Sequence, residues 1–324
     1  MSRILWLGAG FFSKGVEGHD TEHIKFFQPR VLDWAEVVDE AGFEPDVLVF
    51  GDNSCPPALS GVHRYPCLTV LYAVDTHIHS WLPLYAQAFD LCLVSLKDHL
   101  QKFEKRLPRE RLLWSPPYAH DIDLPREAET EFEVLFVGKS DPLKTPERYE
   151  FLSRLGERVP LAVESGSYRT LYPQAKIVLN EAWRGDLNFR TFEAPGCGAC
   201  LVTPDVGHGL ADIFEDGRDM FFYRQDDIEG LANLLNRLLD DPQARRRAAE
   251  NGLAKVDGGH RMKHRAAAFE NFLAGFDHRQ LIVERLQTAP EIFDAWLRRI
   301  YLHWAEAVDD PALKAGYLKA ARER

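Results

Sequence analysis

Apolar residues fall along this chain in compact runs separated by polar stretches. In the first third the runs are Arg3 to Leu7, Pro45 to Phe50, Cys67 to Val74, Asp90 to Ser95 and Leu112 to Trp114. Runs of this length, rich in β-branched and aromatic residues, read as strands buried on both faces. Between them the period changes. Val31, Trp34, Val38 and Ala41 lie three and four apart, so Val31 to Ala41 reads as a helix ended by Gly42. Helices are also expected at about Trp81 to Phe89 and from Asp98 to Arg106. Strands alternating with helices predict a mostly parallel sheet with helices on both faces.

Asp121 to Glu133 breaks the alternation with a polar, acidic run that reads as a linker. The rhythm then restarts. Strands are expected at Val134 to Val137, Leu161 to Val163, Ala175 to Leu179, Ala199 to Thr203 and Asp219 to Tyr223. Helices are expected at Pro146 to Leu155, Asn188 to Ala194, Gly209 to Phe214, Ile228 to Leu239 and Gln243 to Val256. From His264 to Phe276, and from Leu281 onward, the chain reads as helical and holds Trp296, Tyr301 and Trp304. The fold class expected is α/β, with two Rossmann-like doubly wound parallel-sheet domains and a helical C-terminal tail. The domains are expected at 1–125 and 131–276, with terminal helices over 279–324.

Composition narrows the function. A length of 324 residues suits two domains, and 45% hydrophobic residues are enough to build two cores. A formal net charge of −11 argues against nucleic-acid binding through a broad basic surface. No run approaches the ~18 apolar residues of a membrane span, and Ile4 to Gly8 is too short for a signal peptide, so a cytoplasmic location is expected. The five cysteines are an odd set that argues against a disulfide framework. Cys197 and Cys200 form a C-x-x-C without the second pair that a zinc site needs. Small residues where a helix turns back into a buried strand explain it better.

The run Phe189-Arg190-Thr191-Phe192-Glu193-Ala194-Pro195-Gly196-Cys197-Gly198-Ala199-Cys200-Leu201-Val202-Thr203 resembles the donor-site signature of GT-B glycosyltransferases: a helix glutamate, a small-residue turn and an apolar strand. Leu210 to Tyr223, Asp227 to Leu239 and Asp241 to Arg245 look like the end of the donor domain in that fold. The resemblance covers roughly Val134 to Phe276 and points to the bacterial spore-maturation (CgeB-like), glycosyltransferase group 1 branch. There the first half carries a D-x-H after a strand, as Asp75-Thr76-His77 does here. The sequence departs from the family at one place. Retaining enzymes of this fold often carry two acids eight positions apart, and the position eight before Glu193 is Gly185, with Asp186 and Glu181 the nearest acids. Retention and inversion therefore stay open.

The resemblance implies transfer of a sugar from a nucleotide diphosphate sugar, such as a UDP sugar, to an acceptor hydroxyl, as in hexosyltransferases. It implies no cofactor beyond that co-substrate and no bound metal, and it leaves the acceptor (glycan, protein or small molecule) unidentified. Positive side chains and a helix start would carry the phosphates: Gly138 and Lys139 after a strand, Lys144, Asn188 and Arg190. Glu193, one turn beyond Arg190, would accept from the ribose hydroxyls. Tyr168 and Tyr172 are candidates to border the nucleobase. His77 is the candidate base at a strand's C-terminal end, with Asp75 to orient it; Glu17, His19 and Asp20 are further candidates. His77-Ile78-His79 also has the spacing of a metal-dependent hydrolase, but His99, His120 and His208 do not fall where further ligands belong. The terminal helices would pack back on the first domain, or else form a helical partner-binding surface.

Gly8 and Gly10 form an acceptor-side loop on this view. Gly8-Ala9-Gly10 also hints at a dinucleotide turn, although Ser13 stands where the third glycine would be. Two other readings remain at this stage: a two-lobed small-molecule binding protein without catalysis, and an NAD-dependent oxidoreductase.

Overall fold

The structure is a computed structural model that describes residues 2–323, with only the backbone of Trp183 described. The chain divides into two compact units, Met1–Pro116 with Ala266–Arg324, and Pro117–Arg265. The division falls at Pro116 and inside the Met262–Ala274 helix, not in the 121–133 run or at 276–279. Local packing explains both shifts. Ala119 pairs with Arg261 as a parallel bridge and Asp123 is fully buried, so the front of the acidic run is built into the second unit. Phe269 packs edge-on against Trp6, which commits the end of that helix to the first.

The first unit holds β1 (Arg3–Gly8), β2 (Asp20–Ile24), β3 (Val47–Gly51), β4 (Leu68–Ala73), β5 (Leu91–Val94) and β6 (Leu112–Trp114). They form one parallel sheet in the order β2-β1-β3-β4-β5-β6. Every residue of β3, β4 and β5 is buried, as helices on both faces require. β2 is absent from the sequence reading for a physical reason. Its D-T-E-H-I run is polar, it has no buried residue, and it sits at the sheet edge against β1 alone. The helix Trp34–Ala41 starts later than Val31 because Leu32 is extended, bonded through its N–H and C=O to Ala58 and Ser60. Asp33 and Glu36 then close a capping box.

One face of this sheet packs on the C-terminal helices. Ile292, Phe293, Leu297, Ile300, Tyr301 and Tyr317 share a core with Leu5, Leu48, Phe50 and Leu71. Tyr301 and Tyr317 donate their hydroxyls to the carbonyls of Leu59 and Pro57, at 3.0 Å each, so the rings are buried without stranded polar atoms.

The second unit holds β7 (Phe132–Val137), β8 (Leu161–Glu164), β9 (Ala175–Leu179), β10 (Leu201–Pro204) and β11 (Phe221–Tyr223), all parallel in the order β11-β10-β9-β7-β8. The Ile228–Asp240 helix buries Leu231, Leu235 and Leu238 against Ile177, Leu179 and Val202. The α/β plan of two parallel sheets with terminal helices is the one the alternation predicts. Among the described residues no helix is long and apolar enough to cross a membrane.

Candidate functional site

β9 ends at Leu179, and the next residue, Asn180, organises the second unit's polar centre. Its Nδ2 donates to Thr203 Oγ1 at 3.0 Å and to Asn188 Oδ1 at 3.1 Å, while Asn188 Nδ2 donates back to Asn180 Oδ1 at 3.1 Å. Asn188 is thus engaged in a reciprocal amide pair. The next turn begins the Arg190–Gly196 helix, and Arg190 folds back over the sheet end. Its Nη1 donates to Asn180 Oδ1 at 2.6 Å and its Nη2 to the Val137 carbonyl at 2.7 Å, with the guanidinium carbon 4.7 Å from the Phe136 ring centre. Its Nε–H has no protein partner. Both Nη groups are therefore turned onto protein oxygens, and the cation is fixed at the end of the sheet.

Arg190 stands against Gly138. A Cβ built on Gly138 would lie 3.1 Å from Arg190 Nη2 and 3.0 Å from the Phe136 ring, so the glycine lets the cation reach the end of β7. Gly138, Lys139, Lys144 and Thr145 face Val163 and Glu164 across a cavity of about 410 Å³. Asp141 shapes the loop that carries both lysines: its carboxylate accepts from the N–H groups of Leu143 at 2.8 Å and Lys144 at 3.0 Å. Arg148 steadies the same loop by donating to the Lys139 carbonyl at 3.2 Å and pairing with Glu181. The fold therefore brings Gly138, Lys139 and Arg190 to the C-terminal end of β7, with Lys144 on the loop that follows.

Glu193 lies one turn past Arg190 and is half-buried. Burial first, and then the nearby Asp123 carboxylate, push its pKa up to about 7 against the opposing pull of Arg190. The rings of Tyr168 and Tyr172 pack at a tilt of 36°, 5.3 Å apart, but they are not equivalent. Tyr172 is only 2% exposed, which leaves it no face for a base; Tyr168 is half-buried and donates to Asp123. Asp123, Arg169 and Asn180 belong to this centre, and sequence reasoning passed over them. Gly185, where the family's first acid would stand, has φ 73°, a backbone region that side-chain-bearing residues seldom adopt. The departure at this position therefore follows the local loop geometry. Its neighbour Asp186 is raised to about 6 by burial.

In the first unit, Asp52 at the end of β3 arranges the loop after β4. It is buried, and it accepts from the N–H groups of Val74 at 3.1 Å and Asp75 at 2.8 Å. The Asp75 carboxylate accepts from the Ser54 hydroxyl. Thr76 bonds His99 Nδ1 at 2.7 Å, and His77 is half-buried in the turn that follows. Gly8 and Gly10 answer to steric demands. A Cβ on Gly8 (φ 85°) would meet the Gly51 carbonyl at 2.4 Å, and one on Gly10 would meet the His23 ring at 2.4 Å. A three-residue turn, Ser13–Gly15, and then β2 follow, so the pair does not open the helix of a dinucleotide fingerprint. Asp20 lies in β2, 3.8 Å from Arg3, and is no part of a loop. Cys197 and Cys200 are buried free thiols, both pushed up to about 12 by burial, which is the behaviour of packing residues.

Residues 125–271 match the family described as Glycosyl transferase-like. No curated protein matches the chain in sequence. Among solved structures, HepE of Anabaena, crystallised with UDP and glucose, aligns at a TM-score of 0.61 and 14% identity over 85% of this chain and 100% of its own. Sucrose-phosphate synthase of Thermosynechococcus elongatus aligns at 0.60 and 12%, over 85% of this chain and 99% of its own. TarM of S. aureus aligns at 0.53 and 10%, over 70% of this chain and 54% of its own, so the chain spans about half of TarM's length. With two parallel sheets, terminal helices, a match of residues 125–271 to the Glycosyl transferase-like family and these structural likenesses, the chain has the GT-B fold.

Proposed function

We propose that this chain transfers a sugar from a nucleotide diphosphate sugar to an acceptor hydroxyl, and that the second unit holds the donor. The observation that carries this reading is the pairing of Arg190 with Gly138 at the end of β7, one helical turn from Glu193. A glycosyl transfer leaves a diphosphate whose growing charge must be met by fixed positive groups. Arg190 is locked by Asn180 and Val137, so its positive charge stands in place without reorganising. Lys139 and Lys144 add positive charge from the lining of the cavity beside Gly138, in the role a metal ion fills in other enzymes. Glu193 takes the ribose hydroxyls. Tyr168 is the remaining aromatic candidate to border the base, with Tyr172 supporting it from beneath.

The solved structures of HepE with UDP and with UDP-glucose support a uridine nucleotide as the first donor to try. On the acceptor side, His77 is the proposed base and Asp75 its loop partner. Their loop is pinned by Asp52, which favours a defined histidine position. The test is thermal unfolding with UDP, GDP and ADP added singly. A rise of several degrees with one of them supports the donor site, and no rise with any of them sinks it. Release of UDP from UDP-glucose in the presence of candidate acceptors then separates a transferase from a protein that only closes on its ligand.

A further inference from the structure

Arginines gather beside the starts of β5 and β6, in a chain whose formal net charge is −11. Arg106 is half-buried there and held along one edge. Its Nε donates to the Gln87 carbonyl at 2.5 Å and its Nη2 to the Phe89 carbonyl, just before β5. Its backbone N–H donates to Gln87 Oε1 at 2.7 Å, so the side chain leaves from a fixed point. Its Nη1 has no partner among the described residues. Arg111, immediately before β6, donates through Nη2 to Glu284 of the His278–Gln287 helix. Its Nε and Nη1 have no partner among the described residues, and neither does the side-chain amide of Gln287, one turn beyond Glu284. These residues line one cavity of about 400 Å³.

The charges around that cavity do not balance. Three guanidinium groups, Arg106, Arg111 and Arg285, stand with two carboxylates. Asp90 is taken by Arg285 at 2.9 Å, and Glu284 accepts from Arg111 and from Gln280, the latter at 2.9 Å. Arg106 has only carbonyl partners for its guanidinium. Burial, with Arg111 and Arg285 nearby, pulls its pKa down to about 10 against the opposing effect of Asp90 and Glu284, so it stays charged near neutrality.

We propose that this cavity binds a phosphate monoester through Arg106, Arg111 and Gln287. Unpaired N–H groups reach it from two guanidiniums on separate loops and from an amide on a helix, and a doubly charged tetrahedral anion can accept from all three. A cavity of this size also admits the group that the phosphate esterifies. The site lies at the N-terminal ends of β5 and β6, whereas Asp52, Asp75 and His77 follow the C-terminal ends of β3 and β4 in the same parallel sheet. It is therefore separate from the acceptor loops, and it does not rest on the transferase reading. Arg106 and Arg111 belong to the sheet's own loops and Gln287 to a terminal helix, so the ligand ties that helix to the sheet beside the Arg285–Asp90 pair.

The experiment is calorimetric titration of glycerol phosphate into the full chain in chloride buffer at about pH 7.5, where the ester carries close to two charges. A second arm floats the chain with phosphatidylcholine vesicles, with and without phosphatidic acid, which presents the same phosphate on a lipid. Binding of glycerol phosphate is expected. Gln287→Glu sets a carboxylate in the cavity and should weaken it about tenfold; Glu284→Gln takes one away and should tighten it about threefold. Damage to the helix alone would weaken binding in both variants. Binding to phosphatidic acid vesicles alone, with the same two responses, keeps the site and assigns it to a lipid headgroup. Binding that ignores both substitutions places the anion elsewhere, at Lys139 and Lys144 for example, and overturns the site. No binding in either arm overturns it as well. Should Glu284→Gln melt early without ligand, Gln287→Glu decides alone.

Discussion

Arg285 and Asp90 are 195 residues apart and meet as a fully buried ion pair at 2.9 Å. Arg285 also donates to the carbonyls of Val62, Tyr65 and Cys67, and Asp90 accepts from the N–H and hydroxyl of Thr69. Nearly all the hydrogen-bonding capacity of the pair is used. Removing one partner strands the other in a dry core, which typically costs about 3–5 kcal/mol. Arg285→Ala is therefore expected to lower the urea midpoint of the first unit sharply. Surface pairs such as Arg218 with Glu215 should cost under about 1 kcal/mol when broken.

His63 predicts how that stability responds to acid. Its ring is fully buried, stacks on Phe293 at 5.6 Å, and has neither nitrogen hydrogen-bonded. Burial, with Arg64 and Arg285 nearby, depresses its pKa to about 3. The unfolded chain binds a proton below about 6.5 that the folded protein refuses, so stability is full above that pH and falls as pH drops toward 3. The slope due to His63 approaches about 1.4 kcal/mol per pH unit at most. Denaturation of His63→Leu at pH 7 and pH 5 should show a smaller loss than the parent protein.

Glu193→Ala is expected to weaken binding of the nucleotide that stabilises the protein by about ten- to a hundredfold, the value of hydrogen bonds to a charged acceptor. Unchanged affinity by titration calorimetry would remove Glu193 from the site. His77→Ala should leave that affinity intact and depress transfer by about a hundredfold or more. Full activity in this variant would point to another base.

Gly10→Ala drives a methyl group into the His23 ring, whose Nε2 is bonded to the Gly8 carbonyl at 3.0 Å. A loss of about 1–3 kcal/mol is expected with no change in nucleotide affinity. Reduced nicotinamide should give no fluorescence change with either protein. A titratable change abolished by Gly10→Ala would revive a cofactor role for this turn.

Most of this fold is legible in the sequence because a parallel sheet buried on both faces writes itself as continuous apolar runs, as in Cys67 to Val74. β2 is not, since an edge strand needs no apolar face and Asp20 to Ile24 supplies only backbone. In the second unit, the helix glutamate Glu193 and the small-residue turn after it can be read directly. Asp123 cannot, because its neighbours Asp121 and Glu127 look the same in sequence and only burial sets it apart. Asn180 is similarly hidden, since an asparagine at a strand end is common and its five side-chain partnerships arise only when β9, β10 and the Arg190 helix converge.

The first unit is assembled from both ends of the chain, while the second is one continuous segment, Pro117–Arg265. During synthesis the second unit is complete, and free to fold, before the ribosome has made the helices that cover the first sheet. Until Arg285 emerges, Asp90 lacks its ion-pair partner and the Leu5–Leu48–Leu71 face lacks the terminal helices that cover it. A chain that stopped before Arg285 would therefore have a finished second unit and an open, adhesive first sheet.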